Sequence, residues 1–287
     1  MGIGSAHRQF LLDSQNSDGG WGYFPGKQSW LEPTVYAALG LVDDPGGAAH
    51  RAWKLLKTWQ NADGGWRPNA AVPESTWGTA LAVTLGDALG ESGPEIAGGV
   101  QWLINVRGEE SSTLARVLRM FGAGGAERDI RLKGWPWRSG TSAWVEPTAH
   151  SLIALRRAAR RRGKDRALRD RIDSGERMLL GVQCADGGWN YGSPRALGLD
   201  LPSYPETTGL ALAGLQGRAP SDALHRVRGC LQGDVSPFAR AWLGIALRLS
   251  GGEPLDRPNA VPESGDILQT ALDCLAAGDG NWRLLQA

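Results

Sequence analysis

Three cysteines in 287 residues, at 184, 230 and 274, are too few and too scattered for a disulfide framework. Their near-equal separation follows the chain's own periodicity and marks small buried thiols rather than ligands. No run of about 18 apolar residues occurs, so no segment is expected to cross a bilayer as a helix. One-sided charge is also missing: a formal net charge of +1 offers no field to draw in nucleic acid. The opening Met1-Gly2-Ile3-Gly4-Ser5 lacks the basic and apolar regions of a secretory signal, and the expected location is cytoplasmic. Histidines at 7, 50, 150 and 225 form no ligand cluster, and no Gly-rich phosphate loop lies between a strand and a helix. Neither a metal nor a cofactor is expected.

What the chain does have is internal repetition. A Gln is followed six residues later by the Trp of an Asp-Gly-Gly-Trp turn in three places: Gln15 to Trp21, Gln60 to Trp66, and Gln183 to Trp189. A repeated unit of this kind is one supersecondary element stacked on copies of itself. Each copy follows a stretch with apolar groups at helical spacing: Phe10 to Leu12, Trp53 to Trp59, and Met178 to Val182. The Gly pair ends the helix because Gly tolerates positive φ, and the Trp folds back as a large packing body.

A weaker repeat then combines a carboxylate, a Pro and a hydroxyl: Glu32-Pro33-Thr34, Pro73-Glu74-Ser75-Thr76, Glu146-Pro147-Thr148, and Pro205-Glu206-Thr207-Thr208. Pro suits a first helical turn, and an acid or hydroxyl there caps free N–H groups and complements the helix dipole. The unit is therefore helix, Gly-rich turn, helix. Asp279-Gly280-Asn281-Trp282 reads as a worn copy of the turn.

These Gln and Trp repeats resemble those of the squalene and hopene cyclase family. Arg8-Gln9-Phe10-Leu11-Leu12, Arg51-Ala52-Trp53 and Arg177-Met178-Leu179-Leu180 are similar to the family's lead-in. Gly108-Glu109-Glu110-Ser111-Ser112, with Arg116 and Met120, resembles an inner helix of one barrel of the bacterial cyclases. The resemblance, shared with prenyltransferase β subunits, implies an all-α fold, an α/α toroid of inner and outer helices around a central apolar cavity. On that template outer helices fall near 4–15, 48–60, 95–106, 167–183 and 220–231, with a short one around 126–133. Inner helices start near 33, 75, 111, 146, 206 and 236, and 264–276 is a terminal helix sealing the ring. The expected organisation is one domain over 1–287, a single barrel where the cyclases have two.

The resemblance also frames the chemistry. The family's protonation motif, Asp-X-Asp-Asp-Thr-Ala, is matched only at Thr148-Ala149, which puts Glu146 at the acid, with Trp144 and Pro147 replacing flanking Asp residues. His150 lies one helical turn on and could orient the Glu146 proton. Equally, Glu146 could be a helix cap, since Glu32 has the same pattern with Tyr36 in the His position. The zinc set of a prenyltransferase, Asp, Cys and His, is missing, as is the Asp-Asp-X-X-Asp of ionising synthases.

Tryptophan is the dominant aromatic, with 13 against four Tyr and four Phe. Trp30, Trp77, Trp135, Trp137, Trp144, Phe238 and Trp242 fall near inner-helix starts or the loops leading to them, where aromatic faces line a pocket for a polyisoprene or stabilise a carbocation. Candidate substrate-binding residues are Tyr36, Trp77, Trp144, Glu206, Phe238 and Trp242, with Glu146 and His150 as candidate catalytic residues. Two readings follow: an isoprenoid cyclase, or a non-catalytic isoprenoid- or protein-binding barrel. A carbohydrate site with Glu74 paired to Glu146 or Glu206 is a further alternative. The Arg-rich stretch from Arg156 to Arg171 suits either a solvated helix end or a basic rim for lipid headgroups or a diphosphate. The expected partners are an isoprenoid, a peripheral membrane contact and a second protein completing the pocket.

Overall fold

The computed structural model describes residues 3–109, 129, 131–163, 165–252, 261, 264–277 and 281–286. The described helices are α1 (Ile3–Asp13), α2 (Leu31–Gly40), α3 (Ala48–Lys57), α4 (Gly78–Ala88), α5 (Pro94–Asn105), α6 (Val145–Arg162), α7 (Arg166–Gly181), α8 (Pro205–Leu215), α9 (Ser221–Leu231), α10 (Pro237–Leu249) and α11 (Ile267–Ala276). Two short antiparallel ribbons, β1 (Trp135–Pro136) with β2 (Ala143–Trp144) and β3 (Arg195–Ala196) with β4 (Leu199–Asp200), sit in the connections.

Helix contacts close a ring in the order α2, α4, α6, α8, α10, α11 and back to α2. Helices α1, α3, α5, α7 and α9 pack behind it. The α/α toroid is therefore formed. Inner helices such as α2, α4 and α8 are buried along nearly their whole length, whereas outer helices such as α3 and α9 bury only one face. Small residues set the inner spacing: a Cβ on Gly209 would meet the Trp242 backbone at 2.7 Å, and one on Gly214 the Ala149 Cα at 2.8 Å.

Each Asp-Gly-Gly-Trp turn is a built corner. In the second copy Asp63 Oδ1 accepts from Gly65 N at 2.9 Å and from Ser75 Oγ at 2.7 Å. Gly64 takes φ +87°, and a Cβ on Gly65 would lie 2.5 Å from the Ser75 Cβ, so the two glycines are needed for different reasons. Gln60 Nε2 donates to Gly64 O and to Glu95 O, joining the corner to the next outer helix. The Trp66 indole donates back to Leu56 O at 2.8 Å, and Trp66 N donates to Thr79 Oγ1 at 2.8 Å.

That last bond fixes the repeat register. Trp21, Trp66, Trp135 and Trp189 donate their backbone N–H to Thr34, Thr79, Thr148 and Thr208. Thr79, not Thr76, is thus the second-copy equivalent of Thr34, and α4 begins at Gly78 rather than near 75. Trp135 is a fourth corner. Its indole bonds Leu103 O 32 residues back, where Trp66 reaches back 10, so an insertion of 22 residues hides it.

The ring closes with α4 against α6, and α11 serves as an inner-wall helix between α10 and α2 while also touching α1. The expected inner helix from 111 lies outside the described residues, as does half of the expected short outer helix at 126–133, whose described residues are not helical. Inner helices are linked circularly through the corners. Leu31 N donates to Pro68 O, Trp77 N to Trp137 O, Val145 N to Tyr191 O and Ile267 N to Tyr23 O.

The opposite end of the ring is closed differently. Residues Asn281–Leu285 form a 3-10 turn touching α2, α4, α10 and α11, with Leu285 buried. Gln216 Nε2 donates to Leu285 O and Arg157 Nη1 to Gln286 O. Trp282 lies under Arg248 and Arg283, and the Asp279-Gly280 part of the expected worn corner lies outside the described residues. Much of the Arg-rich stretch is consumed here as well. Arg157 and Arg161 pair with Asp87, and Arg156 with Arg218 pairs with Glu176, so these arginines tie α6 to its neighbours instead of forming an open basic rim.

Candidate functional site

The threonine register assigns equivalent positions along the inner helices. Two residues before the corner threonine stand Glu32, Trp77, Glu146 and Glu206; Phe238 on α10 and Leu268 on α11 complete that level. All six are partly exposed. Four residues on, and therefore one turn deeper on the same helix faces, lie Tyr36, Leu81, His150, Leu210, Trp242 and Leu272, none more than 2% exposed. The ring thus forms a cup at the amino-terminal end of its inner helices, with a wall that water reaches and a floor that it does not.

The floor is closed by size. Tyr36, His150 and Trp242 come from alternate helices of the ring and meet near its axis. Tyr36 Oη hydrogen-bonds His150 Nε2 at 3.2 Å. The Trp242 ring stands edge-on to both, with centroids 5.4 Å from His150 and 6.1 Å from Tyr36. Trp77 leans on His150 at 5.3 Å and on Trp137 at 5.0 Å. At this depth the expected central cavity is filled by side chains.

His150 is turned to Tyr36, so the expected His150-to-Glu146 bond is not among the hydrogen bonds of the described residues. Burial pushes the His150 imidazole down to about 3, which keeps it neutral. Tyr36 is raised by burial and then by the charges of Glu32 and Glu146.

Glu146 is the most perturbed carboxyl of the wall. It is recessed among protein atoms yet still partly exposed, as befits a side chain in a concave mouth. Desolvation, then Glu32 and Glu206, push it up to about 8, so it holds a proton at neutral pH. No hydrogen bond to its carboxyl occurs among the described residues. Glu32 is raised by desolvation, opposed by a 2.7 Å hydrogen bond from Tyr23 Oη and reinforced by Asp266. Tyr191 is raised by burial and by Glu206, which also takes its hydrogen bond. Among the described residues no group of three or more His, Cys, Asp or Glu could hold a metal ion.

The structure brings Tyr36, Trp77, Glu146, His150, Glu206, Phe238 and Trp242 to one mouth. Trp144 stands at its edge, immediately before α6 and paired with Trp135 across β1 and β2. Glu74 is elsewhere, exposed and bonded to Arg138 at 3.1 Å, so the pairing of Glu74 with Glu146 or Glu206 is not built. Sequence reasoning missed Tyr23 and Tyr191, each two residues after a corner Trp, and Leu268, whose helix it had placed outside the six.

No family model and no curated protein match this chain. Solved structures do. A type II terpene cyclase from Scytonema, in complex with geranylgeranyl dihydroxybenzoate, aligns with TM-score 0.58 at 20% identity over 94% of this chain and 76% of its own. Candida albicans protein geranylgeranyltransferase-I, complexed with GGPP, aligns at 0.52 and 17% identity over 72% and 58%. An alpha-amylase from Clostridium perfringens aligns at 0.62 and 8% over 96% and 97%. The chain therefore has the α/α toroid fold of the terpene cyclases and prenyltransferases, and at these identities the likeness is one of fold.

Proposed function

We propose that this protein binds an isoprenoid in the cup at the amino-terminal mouth of its ring. The hydrocarbon lies on Trp77, Phe238 and Leu268, and the polar end meets Glu32, Glu146 and Glu206. The observation that carries this reading is the six-residue wall, half hydrocarbon and half carboxyl, standing on a sealed floor. Toroids of the same fold hold geranylgeranyl ligands, which supports the ligand class.

Binding is favoured over cyclisation by the direction of the Glu146 shift. Protonating an alkene demands a strong acid, and a carboxyl raised to about 8 is a weaker donor than an ordinary glutamic acid. Its proton suits a hydrogen bond to a ligand oxygen. The cyclase reading keeps one observation on its side, that Glu146 carries a proton at neutral pH beside aromatic faces. Sugar hydrolysis would draw on the same carboxyls, but an apolar half-wall fits hydrocarbon better than hydroxyls.

Incubation with geranylgeraniol and squalene, followed by extraction and mass spectrometry, separates these readings. The expected result is retention of unchanged ligand by the wild type, with similar retention by Glu146→Gln, whose amide still donates. Cyclic product from the wild type that disappears in Glu146→Gln would establish the acid role instead. Failure to retain either ligand, with turnover of α-glucan, would move the site to carbohydrate.

A further inference from the structure

The sign of charge around the mouth narrows the ligand, given the isoprenoid reading above. Glu32, Glu146 and Glu206 begin three different inner helices and act electrostatically on common neighbours: Tyr23 feels Glu32, Glu146 and Asp266, and Tyr191 feels Glu206 and Glu146. Among the described residues, the groups acting on Glu32 and Glu146 are further carboxyls and the Tyr23 hydroxyl, and no cation. Of the arginines in the mouth-side connections and the neighbouring outer helix, Arg138 pairs with Glu74 at 3.1 Å, Arg195 with Asp200 at 3.1 Å and Arg226 with Asp186 at 3.3 Å, while Arg67 is not among the groups acting on Glu32 or Glu146. The cations that would suit a phosphate sit at the opposite end of the ring, paired with Asp87 and Glu176 and crossed by residues 281–286.

A second observation is independent of the acid count. Glu146 is recessed, and its carboxyl makes no hydrogen bond among the described residues, so a polar group stands in the concavity with no described partner. The wall beside it is aromatic, with Trp77 and Phe238 one turn above the floor residues Leu81 and Trp242. Aromatic faces with carboxylates form the surroundings in which ammonium groups are held, through ring quadrupoles and direct ion pairing.

We infer that the cup selects an isoprenoid whose polar end is cationic, a prenyl amine or ammonium, and discriminates against a diphosphate. Glu206 pairs with the cation, the carbonyl oxygen of the protonated Glu146 accepts from it, Trp77 and Phe238 present their faces to it, and the chain runs out over Leu268. A diphosphate would bring negative charge against an acidic wall on which no cation among the described residues acts.

The test uses three ligands with one hydrocarbon chain and different ends: geranylgeranylamine, geranylgeraniol and geranylgeranyl diphosphate. Each is titrated into the full chain at neutral pH, below its aggregation concentration, with tryptophan fluorescence as readout. The amine is expected to bind at least 10-fold tighter than the alcohol, and the diphosphate at least 10-fold weaker. Glu206→Gln should lower amine affinity about 10-fold and alcohol affinity by no more than about 2-fold, with an unchanged circular dichroism spectrum and Tm showing that the variant is folded. Equal affinity for amine and alcohol, or diphosphate binding as tight as the alcohol's, overturns the inference and leaves isoprenoid binding standing. Binding of none of the three overturns both.

Discussion

Glu146→Gln is expected to stabilise the protein at pH 9 by about 2–4 kcal/mol and to leave it nearly unchanged at pH 4. The sign follows from the direction of the shift. An unfolded glutamate titrates near 4.5, whereas in the fold desolvation and then Glu32 and Glu206 raise Glu146 to about 8. Below 4.5 the carboxyl is neutral in both states and costs nothing. As pH rises through that value the unfolded chain releases a proton that the folded chain keeps, and stability falls until both are ionised above about 8. At about 1.4 kcal/mol per pH unit the full interval would give roughly 5 kcal/mol, an upper bound because water reaches the mouth. Gln keeps the shape and removes the titration. Urea unfolding of both proteins at pH 4, 7 and 9 checks this, and the gap between them should widen with pH. The carboxyls of the cup titrate together, so the observed midpoint belongs to the cluster. A constant offset across pH would contradict the account.

Arg171→Ala is expected to destabilise by about 3–4 kcal/mol, equivalent to a Tm drop of roughly 10 °C. Arg171 is 2% exposed and has no carboxylate partner among the described residues. Its guanidinium instead donates to Lys133 O at 2.8 Å and to Val106 O and Gly134 O at 2.9 Å, and it stacks 3.2 Å over the Trp135 ring. It thereby joins the chain on either side of the inserted segment and seats the fourth corner. Alanine would leave three carbonyls without this donor and a void against Trp135. Removing a desolvated cation returns part of the loss, which is why the expected cost is smaller than a sum over bonds. Arg171→Met, which refills the volume, should recover the packing share only. Thermal unfolding of both variants separates the two contributions, and an unchanged Tm for Arg171→Ala would show that the corner stands without it.

The three intact corners were legible because Gln, Asp, two glycines and Trp each meet a local demand: positive φ, a missing Cβ, a turn-closing carboxylate and a long reach back to the preceding helix. Trp135 was hidden because its corner is fixed by a partner 32 residues away, and no local string survives the insertion. In the second repeat the string Pro73-Glu74-Ser75-Thr76 imitates a helix start, but Ser75 serves the Asp63 turn and the helix begins three residues later. That shift is what places Trp77, and not Glu74, beside Glu146.

Helical spacing showed which residues face the axis but not how far they reach across it. Tyr36, His150 and Trp242 meet near the axis, and the bulk that lets them touch also fills the space they were expected to line. Hydrogen-bond partners were the least legible feature. His150 and Glu146 share a helix face, yet His150 is bonded to a residue 114 positions away.

Photolabelling with a diazirine-tagged geranylgeraniol, followed by peptide mapping, tests the cup most directly. Label on the segments containing Trp77, Phe238 and Leu268, displaced by untagged ligand, is the predicted result. Label confined to the 281–286 end, or none that untagged ligand displaces, would contradict a binding site at the amino-terminal mouth.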